Sequence, residues 1–318
     1  MRLLTRADLE SVLTMSETIA VVEDAFAEYA RGNVRMPLRI GLNMPEHDNG
    51  MHGVMHGYVG GSVDALAIKA ARLGGGKIWV IPFNPEDGAI RSLMDGGFIT
   101  AMRTAAVCGV AAKYLARSDA QVLGLFGAGT QGRTHVAAIN EVRPLNLVKV
   151  FDSVAGKAAE FAREVGAKLG IEVVEADDPQ ATVAGSDMIS VTASTKAPVF
   201  EGKWLEKGMH VTSIGSHGPQ VQEIDSDTVA RAKVVVDSKD AILAEGGDIL
   251  IPISEGIISE DHIYAELGDL VTGAKPGRTS DDEITLYKSV GLALQDVAAA
   301  ERAYRLAEEK GIGTLVEF

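Results

Sequence analysis

The 318-residue sequence predicts an α/β fold, and three observations carry that expectation. After Ser118, short apolar runs alternate with helical stretches. Before it, strand-like runs are joined by turn signals, and an alanine-rich helical stretch lies near the end of the chain.

In the second part the runs are VLGLF, LVKVFD, IEVVEA, DMISVT, HVTSIG and KVVVD, with helices expected from Thr130 and from Val154 to Leu169. Strands separated by helices need crossover connections, and crossovers lay the strands parallel with helices on both faces. EITLYKSVG reads as a further strand. Gly291 to Lys310 reads as a long helix that returns to the first domain.

In the first part, Ile19, Val22, Phe26 and Tyr29 recur at helical spacing between Ser16 and Arg31. Thr14 with Glu17 forms a capping box and Gly32 offers a stop. The runs LAIKAARL, KIWVIPF and AIRSLM read as strands, with NPEDG at Asn84 to Gly88 as a hairpin turn. A helix over Phe98 to Arg117 closes this part. The expected domains are therefore 1–118 with 291–318, a mixed sheet with helices, and 119–290, a doubly wound parallel sheet.

The composition excludes several functions. Lys and Arg number 30 against 44 Asp and Glu, a net charge of −14, which repels phosphate backbones and anionic lipid surfaces. No nucleic-acid or membrane partner is expected, and no apolar run approaches the roughly 18 residues of a membrane span. Asp8, Glu10 and Glu17 break any signal-peptide pattern. The single cysteine, Cys108, cannot form an internal disulfide, so a cytoplasmic location is expected.

The strongest chemical motif is GAGTQG at Gly127 to Gly132, directly after VLGLF and at the start of a helix. Gly127 permits a tight turn, Gly129 lets backbone approach a pyrophosphate, and Gly132 lets the helix pack on the strand. Thr130 and Gln131 open that helix, whose free N–H groups face the anion. The next strand ends in Asp152, about twenty residues on, where a carboxylate can accept from both ribose hydroxyls. The simpler alternative is a tight strand-to-helix turn with Asp152 capping the next helix. Asp152 repels a 2′-phosphate and Lys157 is the nearest cation, so NAD is expected in preference to NADP, with NADP still possible.

Three charged residues sit in apolar surroundings. Arg103 has Ile99, Ala106, Val107 and Val110 as helical neighbours, so its guanidinium needs an internal carboxylate or a bound anion. Lys69 is the sole charge in ALAIKAA; its small neighbours Ala67 and Ala71 leave room for a ligand, although a solvated strand face is the simpler reading. Asp296 lies among Leu292, Ala299, Ala300 and Ala303. It holds a basic residue in place or relays a proton; the simpler alternative is an acid in the favourable N-terminal half of a helix. His47, His52 and His56 cluster in a stretch read as a loop running into a strand. No acid or thiolate completes a metal set there, and no metal is expected.

The chain resembles the ornithine cyclodeaminase/mu-crystallin family over nearly its full length, through AMRTAA (101–106), GLFGAGTQGRTH (124–135), KGMHVTSIGS (207–216) and DDEITLYKSVGLALQD (281–296). The resemblance implies a dimerisation and substrate domain completed by the C-terminal helix, a Rossmann domain for a nicotinamide dinucleotide, and a homodimer. It also implies that Arg39, Lys69 and Arg103 grip the carboxylate of a small amino or imino acid. Thr104 would touch the cofactor phosphates, Thr192 and Ala193 the strand end beside the dinucleotide, and Ser289 to Gly291 the nicotinamide side.

One departure separates subfamilies. Where cyclodeaminases and the related alanine dehydrogenases carry an acidic G-x-D-x-x-G-K, this chain reads GSHGPQV at 215–221, with His217 in place of the catalytic Asp and Val221 in place of the Lys. The text with Pro219 and Glu223 is similar to the ketimine-reductase and mu-crystallin branch. His217 can donate a proton at neutral pH. The expected function is NAD(P)H-dependent reduction of small α-imino acids such as cyclic ketimines, with Lys69, Arg103, His217 and Asp296 carrying the chemistry. The alternatives are an amino-acid dehydrogenase or cyclodeaminase, and a non-catalytic ligand-binding protein.

Overall fold

The computed structural model describes residues 1–47, 50–73, 75–215 and 218–317. It divides into two compact units, Met1–Val107 with Leu292–Phe318, and Cys108–Gly291. The division falls inside the helix Gly96–Leu115, whereas the sequence changes character just beyond that helix. In chain order the strands are β1 (Arg2–Leu4), β2 (Val34–Arg35), β3 (Ile40–Met44), β4 (Gly50–Val59), β5 (Ala65–Leu73), β6 (Ile78–Phe83), β7 (Ser92–Asp95), β8 (Val122–Phe126), β9 (Leu147–Phe151), β10 (Glu172–Glu175), β11 (Met188–Val191), β12 (His210–Ser213), β13 (Lys233–Val236), β14 (Ile263–Glu266), β15 (Thr285–Lys288) and β16 (Thr314–Leu315).

The first unit is built on a mixed sheet in the order β16-β1-β7-β6-β5-β4-β2, with β3 paired to β4. Only the β1–β7 pairing is parallel among the described residues. Helix Met15–Ala30 starts at the Thr14–Glu17 capping box and buries Ile19, Val22 and Phe26. The NPEDG turn closes with Gly88 N–H donating to Asn84 O at 2.9 Å.

The histidine-bearing stretch differs from its expectation. It is a hairpin of β3 and β4 rather than a loop entering one strand, with His47 in the turn and His52 and His56 on β4. Glycine-rich text has weak strand propensity, and the nine-residue-pair ladder between β4 and β5 supplies the missing order.

Period-two alternation on β5 puts Ala67, Lys69 and Ala71 on one face, and all three are buried. The C-terminal helix Ala293–Glu309 packs over β4, β5 and β6 in this unit. Gly57 makes close approach possible, since a Cβ there would stand 3.4 Å from the Ala293 Cβ.

The second unit holds a sheet in the order β10-β9-β8-β11-β12-β15-β13-β14, with every pairing parallel. From β8 the chain winds out through β9 and β10, then resumes on the other side at β11. The order therefore reverses between β8 and β11, where α/β sheets open a crevice at the strand C-termini. Leu123, Leu125, Val136, Ile139, Val148, Val150 and Phe161 form a buried core around this sheet. Each such large side chain contributes roughly 1.5–3 kcal/mol by leaving water.

Helix Lys157–Leu169 begins three residues later than its text suggests. Gly156 has φ +81°, which a right-handed helix cannot include, and the Asp152 carboxylate takes the Val154 N–H. No helix among the described residues is long and apolar enough to cross a membrane.

Candidate active site

The dinucleotide motif occupies the crevice predicted by the strand order. Gly127 follows β8 with φ +102°, a conformation that favours glycine, and a Cβ there would meet Ala193 N at 2.9 Å. The Thr192 hydroxyl, just after β11, lies 3.0 Å from Phe126 O and 3.1 Å from Gly127 O and donates its one proton between them, pinning this turn to the neighbouring strand. A Cβ on Gly132 would lie 2.3 Å from Gly127 O, so helix Thr130–Val142 leaves the strand as closely as backbone allows.

Gly129 is different. A Cβ on it would meet nothing within 4 Å, so its glycine answers no packing demand of the protein itself. It is the N-cap of helix Thr130–Val142 without a side-chain cap, leaving first-turn N–H groups for an outside anion. The Gln131 Oε1 atom is buried there with no hydrogen-bond partner among the described residues. These features fit a pyrophosphate.

Asp152 follows β9. Its Oδ2 accepts from Ala128 N–H and its Oδ1 from Val154 N–H, each at 2.9 Å. The carboxylate therefore ties the glycine turn to the following loop, and each oxygen keeps a lone pair for a ligand hydroxyl. The capping reading holds in part, because Asp152 orders the approach to the next helix. Gly127, Gly129, Asp152, Thr192 and Ala193 line one cleft of about 550 Å³, with Lys157 at its edge.

Ser289 and Gly291 lie in the same unit and are organised by a residue that the sequence reading passed over. Asp237, just after β13, accepts from the Ser289 hydroxyl at 2.7 Å, from Val290 N–H at 2.9 Å and from Gly291 N–H at 2.8 Å. Its place at the end of KVVVD, an acid closing a buried strand, is the signal that could have found it. Burial pushes its carboxyl up, while these donors pull it back.

In the first unit, Lys69, Arg103 and Asp296 meet. Lys69 is 7% exposed, Arg103 5% and Asp296 1%. The Lys69 ammonium donates to Asp296 Oδ2 at 2.7 Å, and Arg103 Nε donates to Asp296 Oδ1 at 3.0 Å. Arg103 Nη1 also donates to Gln295 Oε1. The solvated strand face for Lys69 is thereby corrected: the sheet face is covered by the C-terminal helix, which brings the counter-charge from 227 residues away. The internal-carboxylate reading of Arg103 holds, and Asp296 is the holder of basic residues rather than a mere helix-dipole acid.

Two cations share one carboxylate, so the group keeps a positive charge. Arg39 adds to it electrostatically. Burial lowers Lys69 to about 8, the Arg103 and Arg39 charges push the same way, and Asp296 opposes them. Among the described residues, Arg103 Nη2 donates to no protein group, which leaves guanidinium N–H bonds for an anion. Gln295 was also missed; its Nε2 is buried beside this group without a hydrogen-bond partner among the described residues.

Thr104 is buried on helix Gly96–Leu115, one position beyond Arg103. His217 lies outside the described residues. No group of three or more His, Cys, Asp or Glu side chains suited to a metal occurs among the described residues.

A parallel sheet reversing between β8 and β11, with a glycine turn and a carboxylate at that reversal, defines a Rossmann-type α/β protein. The whole-chain match then places it further: residues 1–311 match the ornithine cyclodeaminase/mu-crystallin family, and the chain belongs to that family. The structure of Delta(1)-pyrroline-2-carboxylate reductase from Thermococcus litoralis, in complex with NADH and L-proline, is similar with a TM-score of 0.96 and 42% identity, covering 99% of this chain and 100% of that one. The Bacillus cereus Delta(1)-pyrroline-2-carboxylate reductase is 34% identical, covering the whole of both chains. The alanine dehydrogenase of Archaeoglobus fulgidus is 33% identical over 99% of this chain and 98% of its own.

Proposed function

We propose that this protein is an NAD(P)H-dependent reductase of small α-imino acids, with cyclic ketimines such as pyrroline-2-carboxylate as the substrate class. The observation that carries this reading is the buried Lys69–Asp296–Arg103 group, whose two cations outnumber their one carboxylate. A substrate carboxylate supplies the missing negative charge. Arg103 offers its outer N–H bonds to that carboxylate, and Arg39 adds attraction. The similar Thermococcus and Bacillus proteins, both Delta(1)-pyrroline-2-carboxylate reductases, support the same class.

Asp296 fixes both cations, so the substrate meets donors already in place and the ordering cost is spent on folding rather than binding. Lys69, lowered to about 8, holds a proton at neutral pH and can share it with the imine nitrogen, since the carbon of a protonated imine accepts hydride more readily. A bound reduced nicotinamide supplies the hydride. The GAGTQG turn seats its pyrophosphate and Asp152 its ribose, which favours NADH over NADPH; Lys157 at the cleft edge leaves NADPH accessible at lower affinity. His217 is proposed as a further proton donor, Thr104 as a phosphate contact, and Ser289 with Gly291 as the nicotinamide-side wall.

Self-association into a homodimer is part of the same reading. Leu38, Ile40, Leu42 and Trp79 expose apolar surface on the first unit, and the similar archaeal alanine dehydrogenase structure is a dimer with bound NAD. A second copy of this chain is the proposed occupant. Light scattering that shows only monomers would exclude it. The buried Cys108 is compatible with a cytoplasmic setting.

The test is a turnover screen. Purified protein is mixed with NADH or NADPH and with pyrroline-2-carboxylate, piperideine-2-carboxylate or an imine of pyruvate and methylamine, following nicotinamide absorbance. Cofactor oxidation with a cyclic imine is expected. No oxidation with any imine defeats the reading, and ammonia released from ornithine without net cofactor turnover replaces it with cyclodeamination.

A further inference from the structure

A second buried charged group lies in the second unit, at the C-terminal ends of β12 and β15, and no step above uses it. Lys288, fully buried at the end of β15, reaches Asp248 Oδ2 at 2.7 Å, Ser213 Oγ at 3.0 Å and Glu223 Oε1 at 3.4 Å. Asp248, on helix Gly247–Ser254, also accepts at Oδ1 from Glu223 N–H at 2.7 Å and Ile224 N–H at 3.3 Å. Lys288 and Asp248 are the charged side chains that face Glu223.

The Ser213 hydroxyl stands between the two acids, 2.5 Å from Glu223 Oε1 and 2.8 Å from Asp248 Oδ2. A hydroxyl has one proton and can donate to only one of them. The other contact would set two acceptors face to face unless the carboxyl brings its own proton. Asp248 already takes an ammonium and two backbone N–H groups, the surroundings of an ionised carboxylate. Among the described residues, Glu223 Oε2 is buried with no hydrogen-bond partner, which an ionised group tolerates poorly.

We propose that Glu223 is held as the neutral acid, donating from Oε1 to Ser213 Oγ, which in turn donates to Asp248 Oδ2, and that it is a positioning residue for the cleft wall. Lys288 and Asp248 then balance one to one. Burial pushes the Glu223 carboxyl up and the Asp248 charge acts in the same sense, against Lys288.

The link to the cleft runs through Gly215. Glu223 Oε1 accepts from Gly215 N–H at 2.8 Å. A Cβ on Gly215 would stand 2.3 Å from both Glu223 Oε2 and the carbonyl oxygen of Ala193, the cleft-lining residue after β11. Gly215 therefore stands directly between the Glu223 carboxyl and the Ala193 backbone, so the carboxyl fixes where this glycine lies against the cleft wall. The positioning role rests on reading this cleft as the dinucleotide site.

Infrared spectroscopy of the whole protein at mildly alkaline pH tests the protonation. A neutral carboxylic-acid carbonyl band is expected that shifts when glutamate is isotopically labelled and vanishes in Glu223→Gln. No such band, or one that responds only to labelled aspartate, overturns the proposal, and neither of these outcomes needs the variant to fold. NADH titration tests positioning. Glu223→Gln, which keeps a neutral donor, should bind within about threefold of wild type, and Glu223→Ala about tenfold more weakly. Equal binding by Glu223→Ala overturns the positioning role. Wild-type protein that binds no dinucleotide defeats the functional reading instead, while the infrared result still decides the state of Glu223.

Discussion

Lys69 and Asp296, 227 residues apart in the chain, meet at 2.7 Å beneath the C-terminal helix, and Arg103 shares the same carboxylate at 3.0 Å. Asp296 is what makes two buried cations tolerable, because an uncompensated buried charge is strongly unfavourable. Its removal therefore touches both stability and chemistry.

Asp296→Asn is expected to destabilise the fold by about 3–5 kcal/mol, since Lys69 and Arg103 lose their shared counter-charge. Urea unfolding measures this. A loss below about 1 kcal/mol would mean that another group balances the cations.

Arg103→Ala should raise the KM for the imino acid by about 100-fold, the effect of losing a hydrogen bond to a charged group together with its Coulomb attraction, with NADH affinity unchanged. Steady-state kinetics and NADH titration separate the two. Arg103→Lys should recover only part of the loss, because an ammonium cannot offer paired N–H bonds.

The pH dependence follows from Lys69. With the group at about 8, the ammonium is present below that pH and lost above it, so kcat/KM for an anionic imino acid should fall as pH rises through about 8. Stability moves the other way. The folded protein binds fewer protons than the unfolded chain between about 8 and the ordinary lysine value of 10.5, so this group adds stability as pH rises across that window. Lys69→Met should remove both trends, and a pH–rate profile of kcat/KM with no descent on the alkaline side would contradict the assignment.

The two motif glycines should fail differently. Gly132→Ala forces a Cβ to within 2.3 Å of Gly127 O and should lower the melting temperature. Gly129→Val meets open space in the protein, so it should fold normally yet lose NADH binding by at least about tenfold. Calorimetry with NADH titration distinguishes them; a Gly129→Val protein that binds NADH normally would remove this residue from the phosphate seat.

Much of this site is written locally. GAGTQG after VLGLF, with Asp152 closing the next strand, specifies a strand, a turn, a helix and an acid within thirty residues of one another, and such short-range geometry follows from glycine conformation and strand–helix alternation. The apolar helical neighbours of Arg103 and Asp296 likewise announced two charges turned inward. Lys69 was harder, because period two puts it on one face of β5 without saying whether that face meets water or a helix.

Sequence by itself determined the parallel sheet, the glycine turn that opens its first helix, and the presence of inward charges on two separate helices. Only the tertiary structure decided their partners. Asp296 pairs with Lys69 because the last helix crosses back over β4 and β5. Glu223, Asp248 and Lys288 converge because β12 and β15 are neighbours despite their separation in the chain. Electrostatic pairing depends on distances of a few ångström, and those arise from chain topology, which no local pattern of residues records.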